Sequence, residues 1–96
     1  MKVLAIEKEI PGHSGEAFIP HLKKEASRVW ELYQSEIIRE IYFDKNNHSA
    51  VMMLECKDGK EAGEYLDTLP LVKEKLIAFD IVELEPYSGF LRLFGN

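Results

Sequence analysis

Cysteine is almost missing from this chain. Cys56 stands alone, so no disulfide can close within it, and nothing in the cysteine usage marks an oxidising compartment. Long apolar runs are missing too, which removes a membrane span. The opening run Lys2–Ile6 is too short for a signal-peptide core. Positive charge is scarce: 12 Lys and Arg against 17 Asp and Glu leave a net charge of −5. The densest basic group is Lys23, Lys24 and Arg28, so a nucleic-acid surface is not expected. The glycines form no phosphate-cradling motif, and the three histidines lie far apart with no ligand-pair spacing. No dedicated metal, no cofactor and a cytoplasmic location are the expectations.

What is present is an ordinary globular composition, 46% apolar and 30% charged, in a single domain spanning 1–96. The organising stretch is a hairpin. Ile37 to Phe43 reads as one strand, Asp44-Lys45-Asn46-Asn47 as its turn, and Ala50 to Leu54 as the return. Strict alternation puts Ile37, Arg39, Ile41 and Phe43 on one face and Ile38, Glu40 and Tyr42 on the other. Both faces are mostly apolar. Val3–Lys8 and Ile77–Leu84 read as the first and last strands, also apolar on both faces, and Cys56 as a small packing residue.

Two helices join these strands. The first is expected from about Ser14 to Gln34, with Pro20 either heading the main helix or costing it one hydrogen bond. On a wheel of about 100° per residue, Phe18, Leu22, Ala26, Val29, Trp30, Leu32 and Tyr33 fill one broad arc. Glu25 falls inside that arc, with His21 and Arg28 at its edge. Asp58 and Glu61 resemble a capping box for a second helix, which Pro70 stops. The resulting β-α-β-β-α-β order is the ferredoxin-like arrangement, an α+β fold with both helices on one face of an antiparallel sheet. The uncovered apolar face then wants a second copy, giving a dimeric α/β barrel and a homodimer or higher homo-oligomer. The apolar segment 88–96 is expected to dock on its own or a partner chain.

The same element order, Leu69-Pro70-Leu71 after the second helix, and a last strand closing on Pro86-Tyr87 resemble the muconolactone isomerase-like branch of the dimeric α/β-barrel superfamily, over roughly Leu22 to Tyr87. The resemblance implies a small-molecule ligand, no metal, and proton-transfer isomerisation of a small unsaturated lactone. It places Glu25 on an acidic position of the family's first helix, Arg39 on an arginine of its second strand, and Tyr42 on an aromatic. Glu40 stands where the family has a histidine, and Ile38 where it has an aromatic.

The residues themselves point the same way. A carboxylate in an apolar arc loses hydration, so its pKa rises and it can accept and return protons near neutrality. Arg39, the one charge among Ile37, Ile41 and Phe43, can hold a carboxylate or steady an enolate. His21, one turn before Glu25, can tune or relay its proton. Trp30, Tyr33 and Tyr42 can wall a pocket. These make Glu25, Arg39 and His21 the candidate catalytic residues. Two alternatives stay open: a non-catalytic binding or assembly module, in which Glu25 and Arg39 pair with no cavity beside them, and a cofactor-free or haem-using monooxygenase, for which His21 or His48 would be the haem ligand.

Overall fold

A computed structural model describes residues 1–95; Asn96, the end of the segment 88–96, lies outside the described residues. Strands β1 (Lys2–Glu9), β2 (Ile38–Phe43), β3 (Ala50–Glu55) and β4 (Ile77–Glu83) form one antiparallel sheet in the order β2-β3-β1-β4. Helices α1 (Leu22–Gln34), α2 (Gly59–Leu66) and the single-turn α3 (Pro70–Lys73) complete the ferredoxin-like order. Val3 opposite Leu54 and Ala5 opposite Met52 face the helices. They pack with Leu32 of α1 and with Ala62 and Leu66 of α2 in one core. Cys56 belongs to that core, as its size suggests, and burial pushes its thiol pKa up.

Strict alternation fails in β2. Ile38 pairs with Leu54, but the next pairing is Glu40 with Met53, so Arg39 is the extra residue of a β-bulge. The bulge resets the pleat. Ile38, expected on the face opposite Ile41 and Phe43, is in the core at 1% exposure, on the same side as those two, which pair with Met52 and Ala50. Counting by twos cannot reveal an inserted residue.

The first helix also starts late. Two 3-10 turns, Gly15–Ala17 and Ile19–His21, precede α1, and Pro20 sits in the second. Proline has no N–H to donate, so the chain breaks where the ladder would have lost a bond. Ser14 makes no side-chain cap. The start of α2 is as expected: Asp58 Oδ1 accepts the Glu61 N–H at 2.8 Å, and Glu61 Oε1 reaches back to accept the Lys57 N–H at 3.1 Å. Leu69 is fully buried, and Pro70 opens α3 at the first helical position.

The helix-free face is apolar at its centre and charged at its ends. Leu4, Val51 and Met53 are half-buried there, and Ile6, Tyr42 and Val82 are exposed. Ion pairs Lys2–Glu55 at 3.5 Å and Lys8–Asp80 at 2.7 Å frame the patch. Past β4 the chain leaves the body. Gly89–Leu93 forms a 3-10 turn whose Phe90, Leu91, Leu93 and neighbouring Phe94 are all largely exposed. This arm stretches the molecule to 58 × 28 × 22 Å. Its radius of gyration of 15.8 Å exceeds the roughly 12–13 Å of a compact chain this long.

Candidate functional site

Helix α1 carries a wide apolar arc, yet among the described residues Leu32 is its only fully buried one. The helix meets the sheet chiefly at the edge strand β2 and leans on α3. Its N-terminal half therefore stands off the sheet, and a cavity of about 970 Å³ opens beneath it. Leu22, Ala26, Val29, Trp30 and Tyr33 of α1 form the roof; Ala50, Met52, Ile77 and Phe79 belong to the floor. Trp30 and Tyr33 stack with ring centroids 5.9 Å apart. Phe43 and His48 stack at 3.9 Å across the β2–β3 turn, where His48 holds a left-handed φ of 59°. The walls are thus mostly aromatic and aliphatic, the setting in which a few polar groups fix a ligand's orientation.

Glu25 borders this space from α1. Its Oε1 accepts the backbone N–H of Leu71 at 2.9 Å. That N–H needs an outside partner, because it lies in the first turn of α3 and Leu69 has no side chain with which to cap it. Burial raises the Glu25 pKa, the Leu71 hydrogen bond opposes this, and the negative Glu7 nearby adds to the rise. Glu25 is therefore both a cross-helix cap and a carboxyl held toward its protonated form.

Arg39, the extra residue of the bulge, lines the same cavity. Its Nε donates to the Glu36 carbonyl, which fixes the guanidinium at the end of β2. Among the described residues neither Arg39 nor Glu25 forms an ion pair. The other expected residues are distributed unevenly. Trp30 and Tyr33 are on the wall. Tyr42 touches the rim, but its pairing with Val51 turns its side chain to the helix-free face. There its hydroxyl donates to Glu40 Oε1 at 2.9 Å, a bond that raises the phenol pKa. His21 ends the second 3-10 turn and is not among the cavity-lining residues. Arg28 is half-buried away from the cavity, donating to Thr68 Oγ1 at 2.8 Å.

Two acids on the sheet side, Glu7 and Glu9, also line the cavity and were not anticipated. Glu7 is half-buried, and its Oε1 accepts the Ala50 N–H at 2.8 Å. The signal for it was present: Val3, Ala5 and Glu7 share one strand face by alternation, and the first two are core. Among the described residues no group of three or more His, Cys, Asp or Glu side chains is placed to hold a metal ion.

No protein-family model matches the sequence, and no curated protein matches it. The sheet order and helix placement have a counterpart among solved structures. The chain superimposes on 5-chloro-2-hydroxyhydroquinone dehydrochlorinase from Burkholderia phenoliruptrix AC1100, a structure determined in complex with 2,5-dihydroxybenzoquinone. The TM-score is 0.68 at 15% identity, over 93% of this chain and 98% of the other. That likeness is one of fold.

Proposed function

We propose that this chain binds a compact ring compound in the cavity under α1 and moves a proton on it, in the manner of the muconolactone isomerase-like branch of the superfamily. The observation that carries this reading is that Glu25 and Arg39 open into one aromatic-walled cavity of about 970 Å³ without pairing to each other. A binding or assembly module would have joined the two charges and filled the space.

The roles follow from the chemistry. Glu25 keeps one oxygen on the Leu71 N–H and presents the other to the ligand. Its raised pKa suits it to take a proton from one ligand atom and return it to another. Arg39 steadies the negative charge that grows on a ligand oxygen while the proton is away. Trp30 and Tyr33 hold the ring flat. The structural neighbour, with its bound dihydroxybenzoquinone, gives an example of this fold holding a planar oxygenated ring. The apolar centre of the helix-free sheet face is the dimer interface in this reading.

The test is a thermal-shift screen of small lactones, enols and hydroxylated rings, followed by turnover assays on every binder. A ligand that binds only the native state raises its melting temperature. Glu25→Gln is expected to lower turnover by roughly 10²-fold or more with binding largely kept. Undiminished turnover in Glu25→Gln overturns the mechanism.

A further inference from the structure

The cavity's charges are lopsided. Glu7, Glu9 and Glu25 line it against the single guanidinium of Arg39. We infer that Glu7 sets the ligand class of this cavity: a neutral ring bearing two hydroxyl groups, one donated to Glu25 and one to Glu7, with ring carboxylates turned away. This rests on the cavity being the ligand site proposed above.

Glu7 suits the task by its position. It continues the strand face begun by Val3 and Ala5, both fully buried, so its carboxyl rises from the sheet floor and not from a mobile loop. The Ala50 N–H at 2.8 Å occupies Oε1 and orients the group. One oxygen then remains as an acceptor toward the cavity, as with Glu25, whose Oε1 is occupied by Leu71. The two carboxyls descend from opposite walls, Glu25 from the helix above and Glu7 from the sheet below. They are close enough that Glu7 contributes to the raised Glu25 pKa. A ligand carboxylate entering between them meets the negative charge of Glu7 and can accept no hydrogen bond from it. A hydroxyl donates to either. Specificity of this sort comes from repelling the wrong ligand as well as holding the right one.

The experiment is calorimetric titration of the full chain with matched rings, benzene-1,3-diol and benzene-1,4-diol against benzoate and 4-hydroxybenzoate. The diols are expected to bind at least ~10-fold more tightly. In Glu7→Gln the amide oxygen still accepts the Ala50 N–H while the charge is gone, so the gap is expected to shrink to about threefold or less. Benzoates that match or exceed the diols in the unsubstituted chain overturn the inference and leave the cavity reading standing. An unchanged gap in Glu7→Gln takes the role away from Glu7. If no ring binds, the cavity reading falls and this one with it. Should Glu7→Gln fail to fold, the same ratio measured in rising salt decides: charge repulsion is screened and the gap narrows, whereas a gap indifferent to salt overturns the inference.

Discussion

Glu25 is tied to Leu71 by a hydrogen bond of 2.9 Å, and that bond separates two substitutions that look alike on paper. Glu25→Gln keeps an oxygen for the Leu71 N–H and is expected to leave the melting temperature within a few degrees of the parent. Glu25→Ala strands a donor in the first turn of α3 and is expected to cost about 1–3 kcal/mol, read by urea denaturation. The pH dependence follows from the direction of the shift. Burial raises the Glu25 pKa above its ordinary 4.5, so the folded state binds its proton more tightly than the unfolded state does. Its contribution to stability is whole below the unfolded pKa and is lost as pH rises through the folded one. Melting temperature scanned upward from about pH 4 is expected to fall less steeply in Glu25→Gln than in the parent. A steeper fall in the variant contradicts the burial argument.

Among the elements, β2 repays the closest comparison with its sequence. The strand itself, the turn after it and the returning β3 are legible, because Asn and Asp mark the turn and β-branched residues mark the strands. The order of elements and the α2 cap at Asp58 are legible for the same local reasons. The bulge at Arg39 is not, since an extra residue leaves composition and apolar content untouched and shows only in the pairing. Its effect falls on Ile38, which it moves to the face of Ile41 and Phe43. Glu7 escaped notice because an acid near a strand end resembles an exposed terminus until the register places it. The bulge assigns the two neighbours opposite sensitivities. Ile38→Ala is expected to cost about 2–4 kcal/mol, and Arg39→Ala, exposed at the strand edge, within about 0.5 kcal/mol, both measured by urea denaturation. Asp58→Ala is expected to cost about 1 kcal/mol through loss of its bond to the Glu61 N–H.

At the scale of the whole molecule, the sheet leaves Leu4, Ile6, Val51, Met53 and Val82 on a face that no helix covers. The framing ion pairs Lys2–Glu55 and Lys8–Asp80 limit the patch to its centre, where a second copy would seat. Sedimentation at micromolar concentration is expected to give a dimer, and Met53→Glu a monomer with unchanged far-ultraviolet circular dichroism. A parent chain that sediments as a monomer removes the dimer from the proposal.

Trp30 is the only tryptophan in the chain, and it stands on the cavity wall against Tyr33. Ultraviolet emission excited near the red edge of absorption therefore originates at one spot on the cavity wall. Quenching or a blue shift during titration would report occupancy directly, without label or known chemistry, and the first molecules to dim it would tell a chemist where to look.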